Sequence, residues 1–250
     1  MKVALVFTGL LRRFEDTYPA WKSYVLDRYD THVYFDIWDE VGYYTGVKAY
    51  LQKPEDEFVK IAEGDRGFHD SQEAIDGKRI IELYHPLALN VQNFSEAEHI
   101  FDDLAKATPN AYTRPKNTIA MFYKIARGMQ WTLEKPFNYD LVIRARPDLL
   151  LTNDPGMFSP DWFYTIQHSN KRGQGTGDSI QVGSPDNMLK FSHVFQYIPQ
   201  YYQQLGVSCP HLYTAYAIQQ LGLEPIHTHI PSGFKTVHSQ VGDSYTEPVS

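Results

Sequence analysis

The stretch Tyr139-Asp140-Leu141-Val142-Ile143-Arg144-Ala145-Arg146-Pro147-Asp148 ends an apolar run with two guanidinium groups and a carboxylate. A strand alternates its side chains with period two, so Arg144, Arg146 and Asp148 are expected to point to one side. Buried charge without a partner is costly, so these groups need counterparts. A diphosphate leaving group would neutralise the arginines. A divalent cation or a sugar hydroxyl would use Asp148. The alternative is an internal Arg–Asp pair that closes the sheet. Three charged groups converging at a strand end favour function.

Other segments carry weaker signals. In Thr8-Gly9-Leu10-Leu11-Arg12-Arg13-Phe14, Gly9 lets the backbone approach a ligand. Arg12 and Arg13 can pair with phosphate oxygens through planar forks; the alternative is a surface turn with solvated arginines. Trp38 can cover a base or sugar face, and Asp39 can accept hydroxyl hydrogens, although core packing explains Trp38 equally well. Lys124 either reaches a phosphate or snorkels to solvent. Asp178, in Gly177-Asp178-Ser179, binds an acceptor hydroxyl, acts as a general base or is a turn aspartate. The preceding run, Ser169 to Gly177, carries glycines at alternate positions and reads as a flexible loop. Such a loop could carry Lys171 and Arg172 to a donor's phosphates. His227 and His229 alternate near His238, so a metal site including His229 is one reading and surface histidines the other. His211, at the start of a helix, can face an acceptor.

Elements must position these groups. Val3 to Thr8 reads as a buried first strand ended by Gly9. Thr17-Tyr18-Pro19 is expected to open a helix. His32 to Trp38 alternates as a second strand. Glu55 to Ala62 reads as a short helix and residues 64 to 73 as an exposed loop. Ile75 to Tyr84 reads as helix, and Leu87 to Val91 as a third strand. Ser95 and Glu98 form an expected capping box. Asn117 is placed to cap a long helix whose stripe is Ile119, Phe122, Ala126, Met129 and Leu133. Tyr139 to Ala145, Phe163 to Gln167, Ser179 to Val182 and Pro225 to Ile230 read as strands. Ser184-Pro185 and Cys209-Pro210 open two late helices, and Gly222 closes the second. Strand and helix alternate, so the expected class is α/β: a single-domain mixed sheet flanked by helices over residues 1–238, with a polar tail at 239–250.

Composition narrows the chemistry. The 250 residues carry 23 Lys and Arg against 30 Asp and Glu, a formal charge of −7. That argues against a nucleic acid polymer as partner. One cysteine, Cys209, excludes an intrachain disulfide and a cysteine zinc cage. The apolar start to Phe7 is too short for a membrane span, so a cytoplasmic setting is expected. A Walker loop, a GxGxxG turn, HExxH and GxSxG are all missing.

The motifs in order resemble a group of bacterial and viral glycosyltransferase-like proteins with SGQxRxF, WD and YDxVIRxRPD motifs. The counterparts are Thr8 to Phe14, Phe35 to Asp39, Tyr123-Lys124, Arg144 to Leu149 and Asp178 to Met188. The resemblance implies a GT-A-like fold and a nucleotide-sugar donor bound by Thr8, Gly9, Arg12, Arg13, Trp38, Asp39, Lys124, Arg144 and Arg146. It further implies a glycan or other hydroxyl acceptor near His211, with Asp178 and Asp148 as candidate catalytic residues. Such folds hold Mn²⁺ or Mg²⁺ through a DxD motif. Here Arg146-Pro147-Asp148 stands in that place, so Asp148 matches the second acidic position and Arg146 replaces the first. The alternatives are an inactive nucleotide-sugar or carbohydrate-binding module and, less supported without a phosphate-cradling loop, a phosphotransferase or sulfotransferase.

Overall fold

The computed structural model describes residues 1–11, 14–39, 77–111, 115–152, 154–170, 173–223, 225–228 and 234–236. The expected helix at 55–62 and loop at 64–73, and the tail from 239, lie outside the described residues.

Among the described residues, seven strands form one sheet: β1 (Lys2–Gly9), β2 (Asp30–Trp38), β3 (Ala88–Gln92), β4 (Leu141–Ala145), β6 (Phe163–Asn170), β7 (Gly173–Gly183) and β8 (Pro225–Thr228). Their order is β3-β2-β1-β4-β7-β6-β8. The first four run parallel. β7 is antiparallel to β4 and to β6, and β8 runs parallel to β6. β5 (Leu149–Leu151) pairs separately with β9 (Phe234–Thr236). The class is therefore mixed α/β, with helices covering both faces.

The parallel strands are mostly apolar on both faces, as a sheet packed between helix layers demands, apart from buried polar groups toward their carboxyl ends. Ala4, Val6, Tyr34 and Val142 belong to one core, beneath helices α5 (Pro115–Leu133), α6 (Pro185–Ser192), α7 (Ile198–Leu205) and α8 (Pro210–Gln220). Val3, Leu5, Phe7, Phe35 and Ile143 belong to the other, beneath α1 (Phe14–Trp21) and α2 (Gly77–Tyr84). Phe7 meets Trp21, Phe35 and Tyr84 at ring separations of 4.8 to 5.2 Å.

Several boundaries differ from expectation for physical reasons. α1 begins at Phe14 and carries Pro19 inside it rather than at its start. A proline there removes a backbone donor, and the next turn, Lys22–Leu26, widens to π geometry. The short helix α3 (Phe94–Ala97) is capped by Asn93, whose side chain accepts from the Glu96 backbone, and not by Ser95. A 3-10 turn leads from it into α4 (Asp102–Ala107). α5 starts at Pro115, two residues before Asn117. The glycine-rich run is strand rather than loop on its far side: Gly173 to Thr176 pair with Gln167 to Asn170.

Candidate functional site

The charged groups gather where β1 and β4 end, and three local devices put them there. The first is a turn. β4 stops at Ala145, so Arg146 and Asp148 are not related by strand alternation. Pro147 takes the second position of a turn closed by Leu149 N donating to Arg146 O at 3.1 Å. That turn brings Asp148 back onto Arg146. Helix α1 pins it: the Thr17 hydroxyl lies 2.8 Å from the Pro147 carbonyl, and Trp21 Nε1 donates to Leu149 O at 2.9 Å.

The second device is a bulge. Between the pairs Thr165–Gln181 and Gln167–Thr176, β6 advances two residues and β7 advances five. The excess around Gly177-Asp178-Ser179 lifts Asp178 out of the ladder, as bulges beside functional sites do. A Cβ on Gly177 would lie 3.1 Å from Ile166 Cβ and O, so this close approach needs glycine. The third device is α8. It opens at Pro210 and presents His211 to the bulge, with Nδ1 4.0 Å from Asp178 Oδ1.

Arg146 grips Asp148 in a two-pronged pair: Nε to Oδ1 at 2.9 Å and Nη2 to Oδ2 at 2.7 Å. Its Nη1 lies 3.9 Å from Asp178 Oδ1. The Arg146 side chain keeps 21% exposure, whereas Asp148 keeps 1%. Burial works against the charge of Arg146, but the carboxylates of Asp148 and Asp178 outweigh it and raise its pKa. Burial alone would raise the pKa of Asp178; His211, Arg146 and Arg144 together hold it below the ordinary value.

Arg144 lies deeper and is fully buried. Its Nε donates to Thr8 Oγ1 at 2.7 Å. Its Nη1 donates to the Asp178 carbonyl and, at 3.0 Å, to Gln181 Oε1. Burial presses its pKa down to about 9, so it stays charged at neutral pH. In this position it braces the bulge from below.

Thr8 and Arg144 belong to a polar row that crosses the sheet beneath α5. Asn90 opposes Asp36, and Asp36 opposes Thr8. Arg144 opposes Gln181, which opposes Thr165. Lys124 closes the row from above, with Nζ donating to Asp36 Oδ1 at 2.8 Å, Ile37 O at 3.0 Å and Gln92 Oε1 at 3.2 Å. It is fully buried and 4.2 Å from the centre of the Trp38 ring. All three of its hydrogens are thus engaged, and neither expected role, phosphate contact or snorkelling, matches this position. Burial lowers its pKa to about 8 against the pull of Asp36.

The remaining candidates fall as follows. Trp38 is 2% exposed, between Lys124, Phe94 and Tyr123; this is its packing alternative. Asp39 accepts from Asn93 Nδ2 at 2.7 Å and Phe94 N at 2.9 Å, securing the start of α3. Gly9 ends β1 with φ +104°, a conformation suited to glycine. Arg12, Arg13, Lys171, Arg172, His229 and His238 lie outside the described residues. So the structure brings together Thr8, Arg144, Arg146, Asp148, Asp178 and His211, and sets Trp38, Asp39 and Lys124 in a neighbouring internal network.

Sequence reasoning missed Gln181, Thr165, Asn90 and the role of Asp36. A usable signal existed, since a carboxylate inside Phe35-Asp36-Ile37 must be paired if the strand is buried.

The residues do not fit a divalent cation at Asp148. Both its oxygens already accept from Arg146, and the described residues contain no group of three or more His, Cys, Asp or Glu suited to a metal. The cluster is also formally balanced, with Arg144 and Arg146 against Asp148 and Asp178.

No protein-family model and no curated protein sequence matches this chain. Solved structures give faint likenesses. Mouse xyloside xylosyltransferase 1, in its apo form, is 8% identical with a TM-score of 0.43, over 89% of this chain and 84% of that one. A mutant Drosophila β1,4-galactosyltransferase 7, in complex with manganese, UDP-Gal and xylobiose, is 11% identical with a TM-score of 0.41, over 95% of this chain and 71% of that one. Both are glycosyltransferases. Likeness at this level says nothing of chemistry. Among the described residues, no helix is long and apolar enough to cross a membrane.

Proposed function

We propose that the chain is a glycosyltransferase that moves a monosaccharide from a nucleotide-sugar donor to a hydroxyl acceptor. The observation that carries this reading is the meeting of Arg146, Asp178 and His211 at the carboxyl edge of the parallel strands, where open α/β sheets bind ligands. Support also comes from the ordered motifs Thr8 to Phe14, Phe35 to Asp39, Tyr123-Lys124, Arg144 to Leu149 and Asp178 to Met188.

Glycosyl transfer builds positive charge on the sugar and negative charge on the departing diphosphate. His211 accepts the acceptor hydroxyl's proton, and Asp178, held ionised, stabilises the imidazolium that forms. Arg146 is the partly exposed cation of the cluster and faces the diphosphate. Asp148 orients the Arg146 guanidinium; no step is assigned to a metal. Arg144 and Thr8 hold the bulge beneath.

The test is release of nucleoside diphosphate from a panel of nucleotide sugars, with and without simple glycoside acceptors. Slow release is expected, with His211→Ala lowering it by about 10²- to 10⁴-fold. Arg146→Lys keeps the charge but loses the fork, and should weaken donor binding measured by calorimetry. The balanced charge of the cluster favours a second reading, a binding module without turnover. Donor binding with no release would establish that one, and no binding of any donor would reject both.

A further inference from the structure

A cavity of about 250 Å³ lies at the opposite edge of the sheet from the charged cluster. The register fixes its place: Tyr164 pairs with Val182, and Gly183 pairs with Val142 near the start of β4. Phe163 therefore sits at the end away from Asp178. Phe163 and Leu223, both buried, supply apolar lining. Trp162 stands beside them with 47% of its surface exposed. Asp161, Asn187 and Lys190 complete the polar lining.

We propose that this cavity binds one neutral pyranose unit of a saccharide. Four features point to that chemistry. An exposed indole offers a flat apolar face, the surface that the C–H face of a sugar ring covers well, beside polar groups that meet its hydroxyls. Asp161 and Lys190 bring one negative and one positive charge, so the lining favours a neutral, hydroxyl-rich ligand over an anion. Asn187 and Lys190 are three apart on α6 and share a face of that helix. The volume is below the roughly 300–1,000 Å³ of sites that enclose drug-sized ligands, which suits a single ring.

The seat is also built firmly. A Cβ on Gly183 would lie 3.1 Å from Phe163 and 3.5 Å from Asn187 Cβ, so glycine there lets α6 close on the strand. Ser184 caps α6 by accepting from Asn187 N at 3.3 Å. Ser159 Oγ donates to Asp161 Oδ2 at 3.2 Å and steadies the carboxylate. This inference does not rest on the transferase reading, because a binding site at this edge needs no chemistry at the other.

Saturation-transfer NMR tests it, with the methyl glycosides of glucose, galactose, xylose, mannose and N-acetylglucosamine as probes. At least one is expected to bind in the millimolar range. Trp162→Ala should weaken that binding about tenfold or more, and Asn187→Ala severalfold, while both keep the wild-type circular dichroism and melting temperature. Lys106→Ala, a widely exposed position outside the lining, should leave the affinity unchanged. The proposal fails if none of the five glycosides binds. It also fails if binding persists at full strength in Trp162→Ala and Asn187→Ala, or if Lys106→Ala weakens it as much as they do.

Discussion

Lys124 shows how a residue's type can suggest one task while its surroundings assign another. An ammonium beneath the sheet's carboxyl edge is tolerated because Asp36, Ile37 O and Gln92 take its three hydrogens. Removing it takes away the buried cation of Asp36, whose carboxylate is left with Asn90 Nδ2 at 2.6 Å and the half-exposed Arg127 guanidinium at 3.7 Å. Lys124→Met should therefore cost about 3–5 kcal/mol in urea unfolding, whereas Lys124→Met with Asp36→Asn should cost clearly less. The pH dependence has a definite sign. The folded pKa of about 8 lies below the unfolded value of 10.5. Between those values the unfolded chain binds more protons, so this lysine adds stability as pH rises through that window. Unfolding at pH 7, 8, 9 and 10 should show the wild type gaining on the double variant as pH increases. A constant difference would show that Lys124 does not titrate in this way.

At the scale of elements, the contact between α5 and the sheet depends on one position. A Cβ on Gly128 would lie 2.8 Å from Thr8 Cγ2 and 3.5 Å from both Asp36 Cβ and Val6 Cγ1. Gly128→Ala should destabilise the fold by about 1–3 kcal/mol, read as a shift of the urea midpoint. Because Thr8 holds Arg144, the same change should loosen the bulge, visible as faster amide exchange around Asp178. α3 offers a milder case. Asn93→Ala removes its cap and one of Asp39's two partners, at a cost of about 0.5–2 kcal/mol. Surface pairs matter less: Lys106–Asp103 is widely exposed, and its removal should leave the melting temperature nearly unchanged.

Across the whole molecule, the polar row is what turns two apolar sheet faces into one site-bearing edge. It runs from Asn90 through Asp36 and Thr8 to Arg144, Gln181 and Thr165. Acid should act on the bulge that Arg144 braces at the end of this row. The pKa of Asp178 is held below its unfolded value of roughly 3.9. Its contribution is complete above that unfolded value and is lost as pH falls through the lower folded one. Thermal melts should be flat from pH 7 to about 5 and drop below about 4, and Asp178→Asn should shallow that drop. An equal slope in the variant would place the acid sensitivity elsewhere.

The strands at β1, β2 and β4, the long helix with its Ile119, Phe122 and Met129 stripe, and the Ser184-Pro185 start were all legible in the residues alone. Their apolar periods and caps are local, and tertiary packing reinforced them. Arg146 and Asp148 do meet, but through a turn at Pro147 instead of strand alternation, and as the internal Arg–Asp pair that the residues alone leave as the less favoured alternative. Other features depend on partners remote in sequence and could not be read that way. The bulge that raises Asp178 exists only because β6 and β7 advance unequally. The burial of Lys124 needs Asp36, 88 residues away. The bond from Arg144 to Thr8 spans 136 residues. Local propensity decides what a segment forms; which charges find each other is decided by long-range register, where burying an unpaired charge costs more than any local preference.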